Sequence, residues 1–261
     1  MKKRRLRQRQ ILDLFSSDSE LTVTEVCERL GASPATVRRE FAQLATDGFV
    51  EKTWGGIRAK TDAPAPVGPP AFTHRLSEQA AEKRAIAQAA AALLTDGDVV
   101  MIDGGTTTYQ LCEFIALKRI RIITNSLVIA QSIDHLRGSQ RGAEVYLTGG
   151  VLQPESGIVA GPPAEAFLKR YHAAWAFLGA AGIDEKAATN YNEAVLASER
   201  LMIEQSTRIA ILADHTKLGR TAMCVLCPLS KVDRLITSVS RSNAALLKRL
   251  ARAKVPVTMA S

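Results

Sequence analysis

Histidine and cysteine are scarce in this chain, at four residues each in 261, and no apolar run reaches the roughly 20 residues that cross a bilayer. The first absence removes most metal chemistry. Cys224 and Cys227 form a CxxC, but no second Cys or His pair at suitable spacing completes a zinc site. A redox CxxC belongs at a helix start, whereas Val225 and Leu226 between the cysteines read as strand. Cys27 and Cys112 fall in helical patterns as small core residues. His74, His135 and His172 stand without evident partners, and His215 is alone in a polar segment. No metal and no cofactor is expected. The missing apolar run excludes a membrane span. The basic residues among positions 2–9 lack the apolar stretch that would make them a signal peptide, so a cytoplasmic protein is expected. Carboxylates are in deficit too: 26 Asp and Glu against 34 Lys and Arg leave a formal charge of +8. That balance favours an acidic partner without naming it.

What is present is concentrated first in residues 21–57, LTVTEVCERLGASPATVRREFAQLATDGFVEKTWGGI. Val23, Val26 and Leu30 recur at spacings of three and four, which is one face of a helix. Gly31 interrupts the pattern. Ser33 stands where an N-cap belongs, and Pro34 at the first position of a second helix. Val37, Phe41 and Leu44 give that helix an apolar face. Its other face carries Thr36, Arg38, Arg39 and Gln43, with Ala35 small enough for close approach. Such a helix suits the major groove of duplex DNA; a small bundle with merely solvated arginines has the same pattern. Residues 47–57 separate the two readings, because 47–50 read as a turn into a strand and 52–57 as its return. The whole is a winged helix-turn-helix, with Lys52 and Trp54 on a basic wing. A helical pattern over 4–15 completes a reader domain spanning 3–58, and its early arginines can reach phosphates.

The segment SPATVRREFAQLATDGFVEKTWGGI resembles the N-terminal signature of the DeoR family of bacterial transcriptional regulators. It matches at Ser33, Thr36, Val37, Arg38, Arg39, Leu44, Gly48, Gly55 and Gly56. It departs at Glu40-Phe41, where Asp-Leu is usual, at Trp54 in place of histidine and at Ile57 in place of alanine. No groove-facing arginine is lost.

Residues 59–71, AKTDAPAPVGPPA, are rich in Pro, Ala and Gly without periodicity and read as a semi-extended linker. From 72 to 259 strand and helix patterns alternate. Helices are expected over 77–94, from 108 to about 117, and over 127–132, 193–206 and 242–253. Strands are expected over 99–102, 119–124, 144–147, 174–178, 208–213, 234–237 and 255–259. The run 99–102 is apolar throughout, as in a strand buried on both faces. The alternation predicts an α/β domain, a mainly parallel, Rossmann-like open sheet with helices on both faces. Ligands of such sheets bind beyond the carboxyl ends of the strands. Five polar or glycine-rich segments fall there: 103–108, 124–126, Gly149-Gly150, 179–184 and 214–217.

Gly104 and Gly105 let backbone N–H groups approach a ligand at a helix start, and Thr106, Thr107 and Thr108 add hydroxyls, a setting for phosphate. A tight turn capped by Thr106 explains the same residues, and neither a Walker loop nor a GxGxxG fingerprint is present. Lys217 offers a second positive group, and Asp214 or Asp184 can accept from polyol hydroxyls; a surface Asp–Lys pair is the plain alternative. The resemblance extends through this half on KRAIAQAAAALLTDGDVVMIDGGTTT, TNSL, LTGG, FLGAAGID and LADHTKLGR. It implies an effector domain similar to ribose-5-phosphate isomerase that binds a phosphorylated sugar or polyol. The implied contacts are phosphate on 104–108 and sugar on Asp103, Asn125, Asp184 and Lys217, with Gly149 and Gly150 on the same rim. Ser238 stands where the family carries an aspartate. The expected function is a non-enzymatic, ligand-controlled regulator, a repressor of a sugar or polyol operon. It would bind operator DNA as a homo-oligomer, dimer or tetramer. A sugar-phosphate isomerase-like enzyme with an appended helical domain is the alternative.

Overall fold

Thr22 both ends a strand and starts a helix. It closes β1 (Glu20–Thr22) and caps α1 (Val23–Leu30). Its hydroxyl accepts from the Glu25 N–H, and the Glu25 carboxylate accepts from the Thr22 N–H at 2.8 Å, a reciprocal capping box. The helix ends at Gly31, whose φ of 60° is the left-handed conformation open to glycine without strain. Residues 31–33 lead into α2 (Pro34–Thr46), and Ser33 bonds Thr36 through its hydroxyl, as expected of an N-cap. β2 (Val50–Thr53) and β3 (Gly56–Ala59) turn at Trp54–Gly55 to form the wing. β1 adds a third antiparallel strand, in the order β1-β3-β2. Gly56 is required there, because a Cβ would lie 2.2 Å from the Leu21 carbonyl oxygen. Val26, Val37, Phe41, Leu44 and Ile57 fill the core beneath.

This computed structural model describes residues 7–8, 10–12, 14, 20–46, 49–59, 72–153, 156–240 and 243–260. The expected turn at 47–48, nearly all of the linker (60–71), the basic residues 2–5 and Arg9, and Ser242 lie outside them. The chain divides into two units, Met1–Val67 and Gly68–Ser261. No described helix is long and apolar enough to cross a membrane.

The helix expected over 77–94 is α4 (Ala80–Ala91), and a further helix that was not expected, α3 (Phe72–Ser77), precedes it across a break at Gln79 with φ 50°. Then come β4 (Val99–Ile102), the short α5 (Thr106–Tyr109) and α6 (Leu111–Ile115), β5 (Arg121–Thr124), α7 (Leu127–Arg137) and β6 (Glu144–Leu147). Residues 151–168 show no pattern in the sequence. They hold an antiparallel pair, β7 (Val151–Leu152) and β8 (Val159–Ala160), and α8 (Pro162–Leu168). β9 (Ala173–Gly179) follows, then β10 (Gly182–Ile183), β11 (Ala187–Asn190), α9 (Glu193–Glu204), β12 (Ser206–Ala213), β13 (Cys224–Pro228), β14 (Arg234–Thr237), α10 (Ala244–Arg252) and β15 (Val257–Met259).

Seven of these strands make one sheet, β15-β14-β12-β9-β4-β5-β6, and every pair in it is parallel. On β4, Met101 enters the core of one face while Val100 and Ile102 enter the other, as an unbroken apolar strand requires. The chain builds outward from β4 through β5 and β6, then returns to β9 and builds the other way. The order therefore reverses between β4 and β9, where such folds open a crevice. β10, β11 and β13 form a separate antiparallel sheet. The CxxC lies on β13, and burial pushes the Cys227 thiol up to about 11, which suits packing better than redox work.

Candidate functional site

In the first unit, α2 turns Val37, Glu40, Phe41 and Leu44 inward. Ser33, Ala35, Arg38 and Arg39 are exposed, and Thr36 and Gln43 are half-buried. The inner Glu40 carboxylate lies 3.6 Å from Arg7, so that arginine faces α2. Arg38 and Arg39 make no ion pair with any described residue. On the wing, Arg58 is held by Glu51 at 2.7 Å. Lys52 is exposed, and Trp54 projects fully exposed from the turn.

In the second unit the strand ends carry a hydrogen-bonded floor. Asp103, just past β4, is buried, and its Oδ1 accepts from Asn125 Nδ2 at 2.8 Å. Asn125 Oδ1 accepts from the Gly104 N–H at 2.9 Å, so one amide clamps the ends of β4 and β5. The Thr124 hydroxyl donates to the Ile102 carbonyl at 2.6 Å, and the Ser126 hydroxyl caps α7. Thr106, Thr107 and Thr108 are buried on α5, and Thr108 donates to the Gly105 carbonyl at 3.0 Å. Gly104 has a packing reason as well: a Cβ there would lie 2.5 Å from the Ile158 side chain. Asp214, past β12, is 1% exposed and accepts from the Thr216 N–H at 3.0 Å. Lys217 ends the short 3₁₀ turn after it and is half-buried.

Two expected rim segments are built separately from this floor. Asp184 sits at the tip between β10 and β11, in the separate sheet. Its carboxylate accepts from the Lys186 and Ala187 N–H groups at 2.7 and 2.8 Å. Burial would raise its pKa, but these donors outweigh it and hold the acid below its usual range. Gly149 and Gly150 form a left-handed turn after β6, where a Cβ on Gly150 would lie 2.6 Å from the Ala160 carbonyl oxygen. A cavity of about 540 Å³ opens at the opposite, amino-terminal end of the strands. It is lined by Arg119, Arg121, Arg137 and Arg141, three of which pair with Asp96, Glu144 and Asp134.

The model of the DeoR C terminal sensor domain matches residues 78–239, and that of the DeoR-like helix-turn-helix domain matches 7–63. The chain belongs to the DeoR family. Its members are DNA-binding transcriptional regulators, and so is this protein. It is 33% identical over 234 residues to the HTH-type transcriptional regulator GlpR of Haloferax volcanii, covering 88% of each chain. It is 31% identical over 232 residues to the HTH-type transcriptional repressor GlcR of Bacillus subtilis, covering 87% of this chain and 85% of that one. The glycerol-3-phosphate regulon repressor of Escherichia coli shares 27% identity over 87% of this chain and 88% of its own. A ribose 5-phosphate isomerase A structure from Neisseria gonorrhoeae aligns with 52% of each chain at 16% identity and a TM-score of 0.38, too slight a likeness to decide anything about chemistry.

This DeoR-family rim also holds groups that sequence reasoning missed. Lys83 on α4 is buried with Ile86, Ala87 and Ala90 on one helix face, and its Nζ donates to the Arg75 carbonyl. The signal was there: a lysine occupies a position of the apolar repeat. Burial lowers its pKa, opposed by Asp214 and assisted by Lys217 and Arg75. Arg75 on α3 is likewise lowered by burial and supported by Glu78 and Asp103. Glu199 on α9 is 4% exposed, accepts from Asn190 Nδ2 at 2.8 Å and lies near enough to Asp103 for the two charges to act on each other. Burial pushes Asp103 up to about 6 and, with the neighbouring Asp103 charge, takes Glu199 well above the carboxylate range. Two negative charges are thus disfavoured there, and the pair favours keeping a proton. His215 has a partner after all, its Nδ1 lying 2.7 Å from Glu82 Oε2. Ser238 donates to the same carboxylate and accepts from the His215 N–H at 3.0 Å. An aspartate at 238 would set two carboxylates face to face.

Proposed function

We propose that this regulator represses a sugar or polyol operon and releases its operator on binding a phosphorylated sugar or polyol. The observation that carries the DNA half is the exposed face of α2, where Arg38 and Arg39 make no ion pair with any described residue, beside a projecting wing. Ser33, Ala35, Thr36, Arg38, Arg39 and Gln43 face the major groove, and Lys52 and Trp54 reach the flanking backbone or minor groove. The names of two relatives support the repressor reading: one is called a transcriptional repressor, the other a glycerol-3-phosphate regulon repressor. The effector site takes Asp103, the loop 104–108, Asn125, Asp214 and Lys217. Gly149 and Gly150 shape its border, and Asp184 serves its own turn. Regulation follows if the ligand prefers the conformation that grips DNA poorly.

The protein works in the cytoplasm, as a homo-oligomer matched to a symmetric operator. It is a sensor rather than an enzyme. Asp103 and Asp214 both accept hydrogen bonds from the protein's own amides, which suits holding a ligand better than shuttling its protons. Footprinting of fragments upstream of neighbouring genes, with and without sugar phosphates, tests the proposal. Arg38→Ala or Arg39→Ala should lose about 1–3 kcal/mol of operator binding. Unchanged affinity and salt slope in both variants would refute the groove assignment, and turnover of an aldose or ketose phosphate would overturn the sensor reading.

A further inference from the structure

The hollow at the amino-terminal end of the strands is lined by the guanidiniums of Arg119, Arg121, Arg137 and Arg141 against a single carboxylate, that of Glu144. It opens where β5 begins, at Arg121, whereas Asn125 and the floor around it follow the other end of that strand. Backbone bonds fix its walls. The Gly97 N–H donates to the Arg119 carbonyl at 2.8 Å, the Arg121 N–H to the Asp98 carbonyl at 2.9 Å and the Glu144 N–H to the Ile120 carbonyl at 3.0 Å. Gly142 lets the approach to β6 run close to this wall, since a Cβ there would lie 2.3 Å from the Ala116 carbonyl oxygen. The arginines are held in place with donors to spare. Arg119 and Arg121 hydrogen-bond the Asp96 and Glu144 side chains through Nε alone, at 2.9 and 3.3 Å, so the terminal nitrogens of both make no hydrogen bond with any described residue. Arg137 donates to Asp134 from a terminal nitrogen, and its Nε is buried without a partner among the described residues. Arg141 is exposed and makes no ion pair with any described residue. Exposed ion pairs contribute little to stability, so an incoming anion can share these arginines at small cost.

We propose that Arg119, Arg121, Arg137 and Arg141 form a second ligand site, for a small polyanion with two or more phosphate groups such as a sugar bisphosphate or a nucleoside diphosphate. A guanidinium offers phosphate a planar fork of parallel N–H donors. Arg119 and Arg121, two residues apart, present two such forks with their terminal nitrogens open, which matches two anionic groups on one ligand. The buried Nε of Arg137 and the unpaired Arg141 add donors for a further oxygen. The space, about 540 Å³, is that of a small-molecule site. A lone inorganic phosphate would leave most of it empty, and a duplex would not enter it.

The test is calorimetric titration of the full-length protein at one fixed ionic strength. The probes are pyrophosphate, ADP and fructose 1,6-bisphosphate, with inorganic phosphate and fructose 6-phosphate as singly phosphorylated counterparts. The wild type should bind at least one of the first three more tightly than either counterpart. The double variant Arg119→Gln/Arg121→Gln should weaken that binding roughly 10- to 150-fold and leave the unliganded Tm where it was, because both side chains are largely exposed. Arg121→Lys keeps the charge but loses the fork, and should weaken it as well. Should the double variant not fold, Arg141→Gln, at an exposed position with no ion pair, decides the matter alone by a similar loss. Affinity unchanged in these variants would overturn the proposal, as would a wild type that binds none of the three probes. Binding that survives the double variant but is lost in Thr107→Val would place the ligand on the effector rim instead. A double variant that loses only its affinity for duplex DNA of unrelated sequence would assign the arginines to nucleic acid and end the small-ligand reading. None of these failures touches the operator or effector assignments, which rest on other residues.

Discussion

Trp54 and Glu199 are opposite cases of one question, what a side chain does when its surroundings do not suit it. The indole of Trp54 is fully in water at the tip of the wing, so the fold gains nothing from it. Trp54→Ala should leave stability within about 0.5 kcal/mol of the wild type and weaken operator binding by about 1 kcal/mol or more. Paired denaturation and anisotropy curves check this, and a variant with unaltered DNA affinity would make the tryptophan incidental. Glu199 is an acid sealed in beside another acid. Both folded-state pKa values lie above those of the unfolded chain, Asp103 at about 6 and Glu199 well above its ordinary value. The folded protein therefore binds protons more tightly. The resulting stability is complete below about pH 4 and is lost as pH rises through 6 and beyond. Glu199→Gln keeps an acceptor for Asn190 while removing one titration. It should match the wild type near pH 4 and gain on the order of 1–3 kcal/mol near pH 8. Melting curves at the two pH values decide it; equal differences at both would show that the pair keeps no proton.

At the scale of elements, what the sequence reveals depends on how far apart the deciding residues lie. Ser33 and Pro34 start α2 by local chemistry, and the apolar run 99–102 can only be an interior strand, so both were legible. The five strand-end segments could be placed on a rim once the alternation was seen. β1 could not, because its three residues are a strand only through pairing with β3, far along the chain. The break between α3 and α4 falls on Gln79, a residue with no turn signature of its own, and α4 continues through the Lys83 N–H to Gln79 carbonyl bond at 3.0 Å. The Asp103–Glu199 pair and the cations around Asp214 join separate elements, and no spacing rule connects them. Asp184 lies five residues past the end of β9, where the chain has already entered another sheet, and no spacing rule in the sequence announces that sheet. Gly56 shows the same principle within the wing. Any side chain there meets the backbone of β1, so Gly56→Ala should destabilise the first unit by about 1–3 kcal/mol and abolish operator binding at moderate temperature. Urea titration followed by circular dichroism measures it; wild-type stability would mean that β1 does not pair as described.

For the whole molecule, one chain carries one reader in Met1–Val67 and one sensor in Gly68–Ser261, and the proposed symmetric operator calls for a second copy. Light scattering at DNA-binding concentrations should therefore give at least twice the chain mass of 28.2 kDa. A particle of one chain that still protects a two-half-site operator would contradict the assembly. The central seam of the parallel sheet has a consequence of its own. β4 finds its first neighbour, β5, almost at once, but its other neighbour, β9, is not synthesised until Ala173. While the ribosome makes the residues between, the apolar strand at the heart of the sensor has one naked edge. A nascent or prematurely terminated chain that stops short of β9 is thus expected to be a client for chaperones and proteases, not a smaller working sensor.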